Sequence, residues 1–544
     1  MKVVILGGYG VFGSRLGELL RRDNHEVYIA GRSLNKATMA AVRIGAKPLV
    51  VDLRADFSAI FAVKPQVVID AAGPFQSYTD NPYAVAQRCI ELGVDYLDLS
   101  DDASFTLGIS ELDETATKAK CRVLSGASSV PGLSSIIISE LVREMTEVLL
   151  IDTTILPGNR APRGQSVIES IIGQVGRPTK VWRGGQWQSI SGWSEHRRYK
   201  LPKGLVRSAY FVEVPDIRLF PKIFMARSVI FRAGMELEIM NKGLACLSGL
   251  VRLTNMQATS RLAQILRIMA HGLLPFGTDK GGMRVAVTGK HEGSIKQRIW
   301  TLVANSGEGP FVPAIVCRAL LRRHSEIPIG ARPCIAELNL LEVEEAMSDL
   351  AIEINAEQRP RPTLFQAALQ DRWDLLPPEV HELHSVQDME SFSGKAKVTR
   401  GTSLVARFAA WFFNFPKAGD NVPITITKTR TPKGEIWERN FAGRIFRSYC
   451  TPSDKVYRYN ERFWFFKYEQ ELPVEDGTMF LPVKRGWFLG IPLPRFFLPG
   501  SNSREFSHEG IFNFDVSLIA PFGGGLIVRY QGALTPDRKS YIEN

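Results

Sequence analysis

The chain has 544 residues, 45% of them hydrophobic, 10% aromatic and 23% charged, with a formal net charge of +11. That composition excludes a mostly disordered chain, a fibrous repeat and a small disulfide-stapled scaffold, and the length suggests about three or four domains. The basic excess is local: residues 1–130 carry a net −1, 131–360 a net +8 and 361–544 a net +4, with a peak at 196–232 where nine cations face only Glu213 and Asp216.

From the first residues onward, short β-branched runs alternate with longer amphipathic ones. Segments 3–6, 27–30, 49–51, 67–70, 96–98 and 122–124 read as buried strands, and 11–22, 34–44 and 83–92 as helices. This alternation predicts an α/β fold: an N-terminal doubly wound parallel sheet of the Rossmann type over 1–125. No signal-peptide pattern precedes the first strand, and the most apolar uncharged stretch, 123–139, holds six serines, two glycines and a proline. The expectation is a cytoplasmic chain without a bilayer-spanning helix. Six cysteines without CxxC spacing read as reduced core thiols, not as a disulfide or zinc framework.

Over 126–356 helical stretches (133–144, 260–273, 313–323) mix with strands (148–156, 284–288), which predicts an α+β second domain on a mixed sheet, part of it returning to pack on the first. The polar, proline-broken segment 357–362 reads as a linker. Beyond it, from 363 to 544, the text turns aromatic: 27 of the 52 Phe, Trp and Tyr lie in the last 144 residues. Helices are expected at 365–369 and 404–415, then strands at 424–428, 437–446, 463–469, 511–519 and 526–530. A mainly β C-terminal domain, sandwich or partial barrel, is predicted. Its aromatic runs 462–467 and 487–498 either fill a core or line a pocket or membrane-facing edge for an apolar ligand.

Chemistry concentrates in Gly8, Gly10 and Gly13, a GxGxxG directly after the first strand and opening a helix. The first glycine is expected to make the tight turn, the second to let backbone approach a pyrophosphate, and the third to let helix and strand pack closely. A diphosphate would then lie on the helix-start amides of Val11, Phe12 and Gly13. At the end of the second strand, where NAD-binding folds place a carboxylate, stand Arg32 and Ser33. A guanidinium followed by a hydroxyl suits the 2′-phosphate of NADP, so NADP is favoured over NAD. Asp52 is read as either an adenine-side contact or a turn cap, and Ala72 and Gly73 as a small-residue approach to the nicotinamide ribose. Tyr78, Asp98 and Ser100 follow strands bordering the crevice, but a structural role outweighs a catalytic one for each. No catalytic acid and no metal site are assigned; His381 and His384 read as a helix surface.

These motifs resemble the saccharopine dehydrogenase-like oxidoreductases. The carrying residues are Gly7-Gly8-Tyr9-Gly10-Val11-Phe12-Gly13, Ala30-Gly31-Arg32-Ser33, Ala71-Ala72-Gly73-Pro74-Phe75, the segment from Cys89 to Ser100, and Gly126 with Val130-Pro131-Gly132-Leu133. The likeness is close over the first 135 residues and looser to about 350. It implies an NADP(H)-dependent oxidoreductase acting on a carbonyl, imine or activated alkene of a small molecule, with a middle substrate and dimerisation domain and hence a homodimer. Leu376-Pro377-Pro378, His381 to His384, Phe392-Ser393-Gly394, Gly434 to Arg439 and Arg529-Tyr530-Gln531-Gly532 are similar to a bacterial C-terminal domain of unknown function found fused to this module. Saccharopine reductase itself is not expected to carry such an aromatic domain, so lysine metabolism is not implied, and the apolar character favours a lipid-like substrate.

Two readings of the whole stay open. One is this oxidoreductase; the other is a non-catalytic NADP-binding protein whose C-terminal domain holds lipid or a protein partner. The basic aromatic stretch 196–232 is either a solvated surface or a peripheral contact with anionic membrane at the inner face; no nucleic-acid module accompanies the charge.

Overall fold

The computed structural model describes residues 1–78, 81–162, 165–254 and 272–538. The chain divides into two compact units. The first runs from Met1 to Arg359 apart from 183–186 and 293–296; the second takes those two short segments and the chain from Pro360 onward.

In the first unit, β1 (Lys2–Leu6), β2 (Glu26–Gly31), β3 (Lys47–Val50), β4 (Val67–Asp70), β5 (Asp95–Asp98) and β6 (Arg122–Ser125) form a parallel sheet. Strand Gly330–Pro333 returns from the far end of the unit to pair with β6, giving the spatial order 3-2-1-4-5-6 and then the return strand. The central strands are buried on both faces, which is why Val3–Leu6 and 67–70 read as unbroken apolar runs instead of alternating ones. Helices α1 (Val11–Arg22) and α2 (Leu34–Ile44) bury one stripe each, and Gly45 ends α2 in the left-handed conformation. The order reverses between β1 and β4, so a crevice opens at the C-terminal ends of those two strands.

A second, mixed sheet in this unit has the main order Arg197–Lys200, Val206–Phe211, Val229–Ala233, Glu147–Leu156, Gly281–His291, Ser294–Ala304, Ile352–Pro360. The expected linker is therefore corrected: its first four residues continue the edge strand Ile352–Pro360. An edge position tolerates both the terminal proline and the charges of Glu357 and Arg359, which a central strand would not. Most of the helix expected at 260–273 lies outside the described residues. None of the helices among the described residues is long and apolar enough to cross a membrane.

The second unit is an antiparallel barrel. Neighbouring strands from Met389–Arg400 through Gly419–Thr431, Gly434–Phe441, Arg444–Pro452 and Arg458–Phe463 to Phe466–Glu471 pair in sequence order; Leu526–Pro536 and Ile511–Ile519 extend the other side. Thr478–Phe480 and Val483–Phe488 follow each other closely along the chain. The first pairs with Arg504–His508 and the second with Phe466–Glu471, while Leu481 N donates to Ser503 O (2.9 Å) between them, so the sheet closes on itself. Inside and outside alternate cleanly: Phe446, Ser448 and Cys450 point inward, Ile445, Arg447 and Tyr449 outward. Two expected strands are each a hairpin. The run 437–446 turns at Ala442-Gly443, and 463–469 turns at Trp464-Phe465, where two aromatic residues replace the usual turn formers.

Candidate functional site

The turn from β1 to α1 is built by close backbone approach. Gly7, not Gly8, takes the left-handed conformation (φ +63°), and a Cβ there would lie 2.5 Å from Ala72 Cα. This corrects the expectation that the first glycine of the motif makes the tight turn. A Cβ at Gly13 would meet Gly7 O at 2.5 Å, so helix and strand touch through that position. Gly8 N donates to Ala30 O (3.0 Å) and Gly10 N to Gly7 O (2.8 Å). Gly7 thereby brings the start of the turn that holds Gly8, Gly10, Val11, Phe12 and Gly13 against Ala72, which precedes Gly73.

Helix α1 begins at Gly10 with no side-chain cap and no acidic residue in its first turn. Its opening amides carry the positive end of the helix dipole and lack an intrahelical acceptor, so the residues present suit an anionic diphosphate.

The ring of Tyr9 covers Gly31, where a Cβ would lie 2.3 Å from the ring, and this brings the end of β2 beside the glycine turn. Arg32 is exposed there, and its guanidinium makes no ion pair with any described residue. Ser33 is the N-cap of α2, its hydroxyl accepting from Lys36 N at 3.5 Å. Asp52 caps its own turn, accepting from Arg54 N at 3.1 Å, just past β3 where Val51 N donates to Gly31 O beside Arg32.

Tyr78, Asp98 and Ser100 are held structurally. Tyr78 donates to both oxygens of Asp70 (3.2 and 3.0 Å), and its ring packs on Phe75 and Phe105. Asp98 is fully buried opposite Asp70 in register and accepts from Ser100 N (2.9 Å), Ser125 Oγ (2.9 Å) and Gly126 N (2.8 Å), all on Oδ1. Burial raises Asp98 to about 7 and Asp70 to about 6, against the pull of these hydrogen bonds. Ser100 Oγ accepts from Asp102 N (3.2 Å) and Thr106 Oγ1 (3.1 Å).

Beside the glycine turn lies a cavity of about 610 Å3. Phe12 and Ser129 form its edge on the parallel-sheet side; Ile155, Met240, Met283 and Leu302 represent its walls on the mixed sheet and the helix Glu238–Thr254. Ser129 and Asp279 are the only hydroxyl or carboxyl side chains among the described residues of its lining. No spacing in the sequence announces this cavity, because its walls come from residues more than a hundred positions apart.

The stretch 196–232 is partly folded into the core. Tyr199, Tyr210, Phe211, Phe220 and Phe231 are buried, and so are Arg207 and Arg232. Arg207 donates to Leu156 O (2.8 Å) and pairs with Glu236 (3.0 Å), and Arg232 lies 3.4 Å from the buried Asp152. Folding turns most of the aromatic residues inward, while Arg198 and Lys200 stay exposed, as do the apolar Val206, Ile223 and Met225. His381 and His384 are not a helix surface: His384 is fully buried against Glu505 (2.6 Å), and His381 stacks on Trp373.

Residues 3–125 match the family described as saccharopine dehydrogenase NADP binding domain, and residues 376–534 match a domain of unknown function, DUF4166. No curated protein matches the chain. Among solved structures it is similar to apo saccharopine dehydrogenase (L-Glu forming) from Saccharomyces cerevisiae, at 15% identity over 65% of this chain and 99% of that one, with a TM-score of 0.48. A probable dehydrogenase from Thermotoga maritima matches at 8% identity over 64% and 93%, TM-score 0.33. Biliverdin reductase from Synechocystis sp. PCC 6803 matches at 12% identity over 64% and 94%, TM-score 0.30. By that family model, residues 3–125 are similar to the NADP-binding domain of saccharopine dehydrogenase.

Proposed function

We propose that the protein is an NADP(H)-dependent oxidoreductase acting on a carbonyl, imine or activated alkene of an apolar, lipid-like molecule. The observation that carries this reading is the position of Phe12, which belongs both to the helix start that suits a dinucleotide diphosphate and to the edge of the large apolar cavity. Bound NADP(H) supplies hydride chemistry at its nicotinamide. The chain's own part is to hold the diphosphate on the amides of Val11, Phe12 and Gly13 and to let the ribose approach at Ala72 and Gly73. Arg32 pairs with the 2′-phosphate and so prefers NADP over NAD. The apolar walls exclude water and orient the substrate against the cofactor. Ser33 and Asp52 drop to supporting roles, as a helix cap and a turn cap.

The scarcity of hydroxyl and carboxyl groups in the cavity favours a second reading, a protein that binds NADP without turnover. Fluorescence titration with NADPH and NADH, on wild type and Arg32→Ala, tests the site. NADPH is expected to bind the wild type more tightly, and the substitution to erase about tenfold to a hundredfold of that preference, the worth of charge-assisted hydrogen bonds. Equal affinities in wild type would sink the assignment of Arg32. Steady consumption of NADPH with long-chain alkenals supports the enzyme; tight binding without consumption across aldehydes, imines and alkenals supports the second reading.

A further inference from the structure

The C-terminal barrel encloses a second cavity, of about 350 Å3, lined wholly by residues of the second unit. Its volume falls at the small end of ligand pockets, roughly 300–1,000 Å3. One end of the lumen is plugged by the helices Leu364–Leu369 and Pro378–His384, through Phe365 and Leu383, with His384 held by Glu505. Deep polar groups satisfy one another. Arg439 reaches Glu461 (3.1 Å) and Ser448 (2.9 Å), and Gln470 donates to the other oxygen of Glu461 (2.6 Å). Nearer the other end the wall is apolar, formed by Phe408, Phe413, Phe463, Phe466, Phe497 and Leu518.

The strand registers bring one set of connections to that end: the helix Leu404–Phe412, the turns at 442–443, 464–465 and 489–490, the segment 493–499 and the turn 520–525. Large apolar side chains stand out of it. Phe408, Trp411, Trp464, Phe496 and Phe522 are 62–73% exposed, although an ordinary surface leaves few such rings in water. Segments 401–419, 442–446, 462–467, 484–500 and 516–527 hold eight Lys or Arg and no Asp or Glu. Turns at the plugged end mix signs, carrying Asp454, Asp476 and Glu509 beside Lys433 and Lys455. An apolar fringe interleaved with cations, above an apolar lumen, matches the layering of an anionic lipid surface: hydrocarbon inside, negative charge at the boundary.

We propose that this barrel docks by its aromatic rim on anionic bilayers and takes a single hydrocarbon chain of a membrane lipid into its lumen. Arg439 and Glu461 neutralise each other and the one further carboxylate of the lining, Glu505, is taken by His384, so no cation is left to hold an anionic head at depth. The head therefore stays at the mouth, among Arg407, Lys417 and Arg495, and the chain enters first. This inference does not rest on the NADP chemistry, and none of its readouts uses nucleotide.

The test uses the full chain with two probes, vesicles and fatty acids. Wild type is expected to sediment with vesicles of phosphatidylcholine and phosphatidylglycerol in equal parts, and at least tenfold less with phosphatidylcholine alone. Trp411→Glu combined with Phe496→Glu, both exposed and tolerable to the fold, should lower sedimentation on the mixed vesicles at least tenfold while leaving cis-parinarate binding in solution within about twofold. A dibrominated stearate should quench tryptophan fluorescence, and Trp437→Phe, which removes an indole from the lumen wall, should abolish part of that quenching. Quenching unchanged by Trp437→Phe, or no parinarate fluorescence with the wild type, overturns the lumen site. Sedimentation indifferent to phosphatidylglycerol or to the double glutamate variant overturns the docking rim.

Discussion

Asp216, at the head of the helix Pro215–Ile223, is almost fully buried with neither side-chain oxygen hydrogen-bonded among the described residues, and desolvation lifts its carboxyl to about 8. An unfolded chain releases that proton near the ordinary carboxylate value of about 4, the folded chain only near 8. Between those limits the unfolded state binds fewer protons, so stability falls as pH rises. Asp98 and Asp70, raised to about 7 and 6, slope in the same direction. Asp216→Asn removes its share. The variant should match the wild type near pH 4 and exceed it by about 1–3 kcal/mol at pH 9, the cost of a buried polar group that lacks full compensation. Urea unfolding at both pH values decides; equal stability at pH 9 contradicts the assignment.

At the level of elements, α1 carries the proposed site at its N-terminus and is clamped at its C-terminus. Its C-cap Asp23 accepts from Arg318 (2.8 and 2.9 Å) and Arg322 (both 2.8 Å), which come from the helix Val312–Arg322, and Arg318 also reaches Asp349 at 2.6 Å. These guanidinium groups hold the Asp23 carboxyl well below the usual carboxylate range, so this contribution is present at neutral pH and fades as the pH falls. Arg318→Ala leaves carboxylates behind without their buried partner. It should cost about 3 kcal/mol, the low end for a broken buried pair because Arg322 remains. The same variant should weaken NADPH binding severalfold, since the helix that presents the amides is no longer fixed. A loss below about 1 kcal/mol in urea would show that the clamp is dispensable.

For the molecule as a whole, two compact units with separate cores imply two unfolding steps instead of one. Calorimetry should resolve two transitions. NADPH at a hundred times its Kd stabilises the unit that binds it by about 2.7 kcal/mol and should raise one transition. Cis-parinarate should raise the other. A single transition moved by both ligands would contradict this division.

Local chemistry made much of the first unit legible from sequence. Strand 67–70 and helices 11–22 and 34–44 coincide with β4, α1 and α2, because β-branched runs, amphipathic spacing and glycine stops all act over a few residues. The glycine motif pointed to the proposed dinucleotide site for the same reason: its role is backbone approach within one turn. Gly7 escaped that reading because its constraint comes from Ala72, 65 positions away in the chain, across the crevice. The Trp464-Phe465 hairpin escaped as well, since nothing in two aromatic residues announces a turn; the pairing of Phe463 with Phe466 imposes it.

What the sequence determined by itself was the alternating strands and helices of the parallel sheet, where the glycine motif lies, and that the last third packs by different rules. Tertiary structure alone decided which aromatic rings face water. The rings of 196–232 turn largely inward beside buried ion pairs, while Trp464, Phe496 and Phe522 stand exposed at one end of the barrel. Both stretches mix aromatic and basic residues, so composition could not separate them. Burial depends on the partners that distant strands supply, and only closure of the sheets determines those partners.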